Sequence, residues 1–358
     1  MASELLTTGE DRGKVMMTSR SLTLALTLAW LVGLAGSLQA APLYRYYTTG
    51  QGDGSMAVAI NDKNQAVVNF NDRAYLWTLG GLTDLGDLGG GKSYAYAINN
   101  LGQIVGESYV NSSNSHAFWW KTGDMQDLGG LTGGVRSIAV SINNLGQAVG
   151  ATIYDNDTFS TFTWTGSGGL QPLDLQGGLA FKIKDDGRMV GQKNNHAWFW
   201  SAPGAGQDLG TLTAPYNGES QALDINQNGQ VVGYAMQPNP PNDSASHAFS
   251  WTPNGGLKDL GTLGGPHSRA FGITKEGYIV GWADTGSGTV GCLWTPSGDK
   301  LDLNALVIDK PAGVTIGNCT GINGKGVIVG HGIDNGAAFM LVPIPTANPA
   351  VLDLLLFQ

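Results

Sequence analysis

The sequence predicts an all-β protein: a seven-bladed β-propeller in which each blade is a sheet of four antiparallel strands. Three short landmarks recur along the chain in one cyclic order, and the intervals between copies divide into four short apolar runs separated by turn residues. Four antiparallel strands in roughly 45 residues match the size of one propeller blade. The composition agrees, because 55 Gly and 13% charged residues suit many tight turns and closely packed sheets.

The stretch from His247 to Trp282 shows the repeating unit most clearly. His247–Trp251 alternates small or polar residues with large aromatic ones, which is typical of a half-buried strand. Three further strand-like runs follow, and turn residues separate them: Leu257–Gly261, Ser268–Ile273 and Tyr278–Gly281. The stretch therefore predicts β-strands joined by short turns, with no helix between them.

Each landmark marks one strand of a blade, and we name the strands A to D in chain order. An Ile ends strand A and precedes a turn and the Val-Val-Gly-like strand B, at spacings of 38 to 49 residues: Ile60, Ile98, Ile142, Ile183, Ile225, Ile273 and Ile322. Strand C is aromatic and ends in Trp, except in its last copy: Ala74–Trp77, Ala117–Trp120, Thr161–Trp164, Ala197–Trp200, Ala248–Trp251, Gly291–Trp294 and Ala338–Leu341. Strand D carries Asp followed by Leu: Asp84, Asp127, Asp174, Asp208, Asp259 and Asp302.

The missing seventh Asp-Leu strand predicts how the ring closes. Strands A, B and C occur in seven copies, whereas strand D occurs in six. Leu43–Tyr47 lies just before the first repeat, where a D strand would stand, and is rich in residues that favour strands. We therefore expect it to pair with the Ala337–Leu341 strand and complete the last blade. Closure would leave no long exposed sheet edge.

Residues 1–41 have the pattern of a signal peptide. Leu22–Leu34 is an apolar core, Arg20 supplies positive charge before it, and Leu38-Gln39-Ala40 is a small-residue cleavage site. The alternative is an uncleaved membrane anchor, but the apolar run is shorter than the ~20 residues that a spanning helix needs. We expect a secreted protein without stable membrane insertion after cleavage, with residues 42–342 as the propeller and residues 343–358 as a tail.

Three segments carry a family resemblance. Asp259–Gly265 reads Asp-Leu-Gly-Thr-Leu-Gly-Gly, Ile98–Gly106 reads Ile-Asn-Asn-Leu-Gly-Gln-Ile-Val-Gly, and His247 begins the tripeptide His-Ala-Phe. They resemble the repeats of the bacterial extracellular HAF repeat family, which is named after that tripeptide. The resemblance covers about residues 43–341 and is degenerate at Phe162, Cys292 and Ala338. It implies secretion and a repeat fold, and it implies no particular activity.

The tail resembles a degenerate bacterial C-terminal sorting signal of the Pro-Glu-Pro type. Val342–Pro345 has Ile344 where that signal has Glu, and a short apolar run, Val351–Phe357, follows after a spacer. The alternative is a loosely packed tail without a sorting role.

No catalytic or metal-binding motif emerges from the candidate residues. The Asp of each Asp-Leu strand recurs once per blade, so these residues cannot converge on one ion, and we expect them to accept hydrogen bonds from turn amides or Trp indoles. The Asn that follows five of the landmark Ile residues is expected to cap a turn. Ser220 lies in a Gly-Glu-Ser-Gln-Ala segment, but a strand rather than a helix follows it, which argues against a nucleophile elbow. His116, His196 and His247 occupy one repeat position in three blades.

Net charge and cysteine content limit the ligands and the covalent links that the protein can have. A formal net charge of −9 without basic runs argues against nucleic acid. Cys292 and Cys319 are the only cysteines, and they could form a disulfide after export or fill core positions as free thiols. We expect a monomer without a cofactor.

Loop length suggests where function lies. In an up-down meander the A–B and C–D turns share one face, the turn face, and the B–C and D–A connections share the other, the loop face. The long insertions are all B–C or D–A: 110–115, 152–160, 235–246, 284–289, 212–219 and 304–318. Loops on a rigid scaffold are where binding usually resides. The candidate ligand-binding residues on or beside these loops are Tyr109, Tyr154, Asp155, Asp157, Tyr216, Glu219, His267, Trp282 and Asp284.

Two classes of function fit these residues. Aromatic rings beside acidic and amide groups suit sugars or peptides, which favours a non-catalytic binding propeller for an extracellular polysaccharide or a surface protein. The alternative is a propeller lyase or glycosidase, which would need convergent carboxylates at the ring mouth.

Overall fold

The computed structural model describes residues 41–52, 54–212, 218–239, 243–333 and 336–345. Within these residues the chain forms 28 β-strands in seven four-stranded antiparallel sheets. Helix in the described part of the chain amounts to one 3-10 turn, Leu303–Ala305. The predicted seven-bladed β-propeller is confirmed.

The strands follow one another in the order A to D in every blade. Blades 1 and 2 comprise Met56–Ile60, Ala66–Phe70, Arg73–Thr78 and Gly81–Asp84 (β2–β5), then Ser93–Ile98, Ile104–Tyr109, Ser115–Lys121 and Asp124–Gly129 (β6–β9). Blades 3 and 4 comprise Arg136–Ile142, Ala148–Ile153, Phe159–Thr165 and Gly169–Pro172 (β10–β13), then Leu179–Ile183, Met189–Lys193, His196–Ala202 and Ala205–Gly210 (β14–β17). Blades 5 and 6 comprise Ser220–Ile225, Val231–Asn239, Asp243–Thr252 and Gly256–Asp259 (β18–β21), then Ser268–Ile273, Ile279–Asp284, Thr289–Trp294 and Lys300–Asp302 (β22–β25). Blade 7 comprises Asn318–Ile322, Ile328–His331, Ala338–Pro343 and the N-terminal strand Tyr44–Thr48 (β26–β28 and β1).

The A strands form the inner wall of a closed ring. Each A strand contacts the A strand of the next blade, and β26 of blade 7 contacts β2 of blade 1. The N-terminal strand closes the ring as predicted, because β1 pairs with β28 from Tyr44 opposite Pro343 to Thr48 opposite Phe339.

The 304–318 insertion protects the free edge of the closing strand. The Tyr44 N–H donates to the Leu306 carbonyl (2.8 Å), and the Ile308 N–H donates to the Tyr44 carbonyl (3.1 Å). Asp309 Oδ1 accepts from the Tyr46 N–H (2.7 Å). Covering an edge strand in this way prevents its pairing with another chain, so this insertion has a structural role that loop length alone did not reveal.

Apolar side chains fill the interfaces between neighbouring blades. One core cluster joins Val67 and Ala74 of blade 1 to Ala95 and Phe118 of blade 2, and all four side chains are fully buried. A serine at the start of strand A adds a polar link: the Ser220 hydroxyl donates to the Gly210 carbonyl and accepts from the N–H of a strand C alanine in the preceding blade. Ser93, Ser137, Ser268 and Ser55 make the equivalent bonds. Ser220 is therefore a structural residue.

A β-bulge recurs in every A–B pair. The register shifts by one residue near the end of strand A in all seven blades. Opposite the bulge the two strands approach so closely that a Cβ on Gly281 would lie 1.9 Å from the Arg269 carbonyl oxygen. The approach explains the Gly at this position in six blades, because Gly fits there without a backbone shift, whereas blade 1 carries Val68.

Candidate ligand-binding surfaces

The repeated acidic and amide residues serve the scaffold, as their spacing predicts. Oδ1 of Asp127 accepts from the Gly129 N–H (2.7 Å), and Asp208 and Asp259 make the same turn bond. His116, His196 and His247 each pair with the Asp of their own blade through Nδ1, at 3.0, 2.9 and 2.8 Å. These pairs lie in separate blades, and they do not form a common site.

Several predicted residues lie in tight, exposed turns of the loop face. Asp155 and Asp157 are exposed within the turn that the Tyr154 N–H closes on the Thr158 carbonyl (2.9 Å), and Asp157 has φ 60°. Glu219 is exposed at the start of β18. Tyr216 lies outside the described residues. The 235–246 insertion is for the most part an extension of the β19–β20 hairpin, which pairs as far as Asn239 opposite Asp243.

The other predicted residues are half-buried and already engaged in contacts. Asp284 Oδ1 accepts from the Thr289 hydroxyl (2.6 Å), and the Asp284 N–H donates to the His267 carbonyl (2.8 Å). His267 Nδ1 accepts from the Ser246 N–H (3.1 Å). The Tyr109 ring has the Lys92 ammonium 6.0 Å from its centroid. In the described part of the chain, no two of the predicted carboxylates share a hydrogen-bond partner.

Trp282 belongs to an aromatic and cationic group that the loop-based search missed. The Arg269 guanidinium carbon lies 4.1 Å from the Tyr234 ring centroid and 5.8 Å from that of Trp282. All three side chains are partly exposed. Arg269 projects from an A strand, and both rings project from B strands at the position after the repeated Gly. The sequence contained a signal for this site, because the residue at this strand B position differs in every blade. The seven residues are Asn69, Glu107, Ala151, Gln192, Tyr234, Trp282 and His331.

Glu107 is the most buried carboxylate on this side of the ring. It accepts hydrogen bonds from the Tyr96 hydroxyl (2.9 Å), the Ser115 hydroxyl (2.8 Å) and an Arg136 Nη (3.2 Å). Burial, with the Glu107 carboxylate beside it, raises the pKa of Tyr96 well above its usual range. Arg136 belongs to blade 3 and Glu107 to blade 2. The group is thus a charge-neutral link between two blades, in which the Glu107 carboxylate accepts three hydrogen bonds.

The turn face carries a cavity of about 290 Å³ at the end of the A strands. All seven blades contribute to it, six through the landmark Ile and the residues that follow, and blade 5 through Asp224 and Gln227. Lys182, Lys184 and Asp224 of blades 4 and 5 lie in its wall. Sequence reasoning missed this site because it treated the short A–B turns as uniform.

Cys292 and Cys319 are buried free thiols in different core clusters. Among the described residues no group of three or more His, Cys, Asp or Glu side chains could hold a metal ion. No helix of the described part is long and apolar enough to cross a membrane.

Comparison with known proteins supports the fold and does not assign a family. No family profile matches the chain, and no curated protein shows significant sequence similarity to it. The extracellular domain of a proposed one component system from B. thetaiotaomicron is similar in structure, with TM-score 0.52, 9% identity and coverage of 83% of this chain and 39% of that chain.

Two enzymes also give structural matches. A puromycin hydrolase gives TM-score 0.50 at 13% identity, covering 83% of this chain and 52% of that one. A gluconolactonase from Xanthomonas campestris gives TM-score 0.45 at 14% identity, covering 87% and 94%. The chain thus spans about two fifths of the first of these three structures and half of the second. At such identities the likeness to the one component system and to the puromycin hydrolase establishes a shared fold alone.

Proposed function

We propose that the protein is an exported, non-catalytic binding propeller that holds an extracellular glycan on its loop face. The observation that carries the proposal is the group formed by Tyr234, Arg269 and Trp282, where a guanidinium lies between two partly exposed aromatic rings. Tyr109 and Tyr154 add half-buried rings on the same face. Export itself rests on the signal-peptide pattern of residues 1–41.

The chemistry of this group suits a sugar ring. Aromatic faces pack against the apolar C–H faces of sugars, while neighbouring polar groups bond to the hydroxyls and fix orientation. Arg269 provides several N–H donors, and its terminal Nη groups have no hydrogen-bond partner among the described residues. The guanidinium is therefore fixed in position by the rings and retains donors for a ligand.

The described residues give less support to the catalytic alternative than to binding. A glycosidase uses two carboxyl groups on either side of the scissile bond. Asp155 and Asp157 lie in an exposed turn, Asp284 is bonded to Thr289, and Glu107 is neutralised by Arg136. These arrangements favour binding over turnover.

The test is glycan binding by the Trp282→Ala variant. The purified protein would be applied to a glycan array, and the affinity for the best glycan measured by calorimetry. We expect Trp282→Ala to weaken binding by about tenfold, which corresponds to about 1.4 kcal/mol. Trp119→Ala is the matched control, because Trp119 is also half-buried but packs against Trp164 in strand C, with ring centroids 6.0 Å apart.

Three results would contradict the proposal. Equal losses in the Trp282 and Trp119 variants would show that the loop-face ring does not contact the ligand. Release of new reducing ends or unsaturated products from the bound glycan would identify an enzyme instead. Retention of a protein partner but of no glycan would likewise reject the ligand class.

A further inference from the structure

The turn-face cavity is built on a repeated asparagine. In five blades the residue after the landmark Ile is Asn, and in each its Oδ1 accepts from the N–H groups two and four residues further on. Its Nδ2 donates to the carbonyl of the equivalent residue in the next blade, as in Asn61 to Asn99 (2.9 Å) and Asn143 to Lys184 (3.0 Å). This amide closes the turn and links the blades.

Blade 4 breaks the pattern with a lysine. Lys184 occupies the Asn position and cannot accept the turn hydrogen bonds, because an ammonium group is a donor only. The turn is instead supported by Asp186, which accepts from the Arg188 N–H (3.1 Å) and from Arg188 Nε (2.7 Å). In blade 6, by contrast, Thr274 preserves the capping role by accepting from the Tyr278 N–H (3.2 Å). Lys184 therefore has no side-chain role in the turn.

A second departure lies beside the first. The residue before the landmark Ile is Ala, Ser or Gly in five blades, but Lys182 in blade 4 and Asp224 in blade 5. Their charged groups are 3.7 Å apart. Asp224 also accepts from the Ile225 N–H (2.9 Å) and the Ile273 N–H (3.1 Å). The Lys182 and Asp224 charges thus compensate each other.

Lys184 places a cation in the cavity wall. It is half-buried, and within the described part of the chain its ammonium group has no hydrogen bond or ion pair. Burial lowers the pKa of the Lys184 ammonium, and the charges of nearby Asp224, Asp185 and Asp186 oppose that effect. None of these carboxylates bonds the ammonium group directly: Asp185 accepts from Asn144 (2.7 and 3.1 Å), and Asp186 pairs with Arg188. A partly desolvated ammonium group without a hydrogen bond is costly, and a ligand carboxylate would supply that bond.

We propose that this cavity binds a small polyhydroxy carboxylate of the size of a hexuronic acid, with Lys184 bonding the carboxylate. The volume of about 290 Å³ would hold roughly ten water molecules at ~30 Å³ each, which suits one monosaccharide. Asp185 and Asp62 retain free lone pairs in the wall that could accept from ligand hydroxyls. Their negative charges disfavour a dianion such as phosphate. The site lies on the face opposite the proposed glycan surface and does not depend on it.

The decisive variant is Lys184→Asn, which restores the residue found in five other blades. D-glucuronate would be titrated into the full-length mature protein by calorimetry, with D-glucose as the uncharged match and inorganic phosphate as the alternative anion. Lys184→Asn removes the charge-assisted hydrogen bond to the ligand carboxylate. The affinity for glucuronate should therefore fall by about 10- to 100-fold. Lys184→Arg, which keeps the charge, should retain part of the affinity.

The matched control is Lys63→Gln. Lys63 is an exposed lysine in the A–B turn of blade 1 and does not line the cavity, so its loss should leave the affinity unchanged. The Tm of Lys184→Asn should equal or exceed that of the wild type, because the Asn can again cap the turn.

Four binding outcomes and one stability outcome would overturn the assignment. The binding outcomes are the absence of glucuronate binding to the wild type, unchanged affinity in Lys184→Asn, equal affinity for glucose, and tighter binding of phosphate than of glucuronate. A lower Tm in Lys184→Asn would also overturn it, since Lys184 would then serve the scaffold. Because none of these variants lies on the loop face, failure here would leave the glycan-binding test undisturbed.

Discussion

Replacing Tyr44 by Ala should destabilise the protein by weakening the packing of β1, the strand that closes the ring. Tyr44 is 2% exposed and packs with Leu303, Ile316 and Phe339 in one core cluster. Its backbone bonds to the covering segment as well, through Leu306 and Ile308. The side chain therefore anchors β1 between β28 and the 304–318 segment.

The magnitude follows from this burial. Truncation of a fully buried aromatic side chain to Ala costs about 3–5 kcal/mol. For a domain of about 300 residues, an unfolding entropy of ~2.1 cal/mol/K per residue converts that loss into a fall in Tm of about 5–8 °C. Tyr44→Phe preserves most of the packing and should cost much less.

Scanning calorimetry and urea unfolding would measure the effect. The control is Tyr47→Ala on the same strand, because Tyr47 is 37% exposed and its loss should change the free energy of unfolding by less than about 1 kcal/mol. If Tyr44→Ala and Tyr47→Ala lowered Tm equally, burial of Tyr44 could not be what holds the closing strand.

Three further predictions concern the scaffold. Deletion of residues 41–48 removes β1 and exposes the edge of β28. Tm should therefore fall sharply, and light scattering should show self-association through the exposed edge. An unchanged Tm would refute closure of the ring by β1. Burial raises the pKa of Tyr44 and of Cys319 above the values of the free groups, which are 10.0 and 9.0. Both groups therefore stabilise the fold in their neutral forms. That stabilisation is complete below the unfolded pKa values and is lost as the pH rises above those values. The free energy of unfolding measured in urea should therefore fall from about pH 9 upward, by up to ~1.4 kcal/mol per pH unit for each group, and a flat profile would contradict the burial of both groups. Gly281→Ala should lower the free energy of unfolding in urea by about 1–3 kcal/mol, because the added Cβ would clash with the Arg269 carbonyl. Gly286→Ala should lower it less, because a Cβ there meets nothing within 4 Å. Equal losses in the two variants would argue against the close approach at the bulge.

The blade count and the closure of the ring could be predicted from the sequence because both depend on local patterns. Alternation of apolar residues marks a strand wherever it occurs, and Gly or Asn marks a turn, so the repeats could be counted without knowing how they pack. The unequal copy numbers then required one strand from the other end of the chain, which β1 supplies. The structural roles of the repeated Asp and Asn followed for the same reason, since their hydrogen bonds lie largely within one turn.

Contacts between blades were decided by tertiary structure. Arg269 meets Tyr234 across a blade interface, and Lys182 meets Asp224 from the next blade, because the bulge, the twist and the register of the A strands bring them together. Loop length also misjudged two insertions: residues 304–318 cover the edge of β1, and residues 235–246 largely extend a hairpin. A local pattern specifies which way a side chain alternates within its own strand. It does not specify which side chain of the neighbouring blade stands opposite, because that depends on how whole sheets pack around the ring.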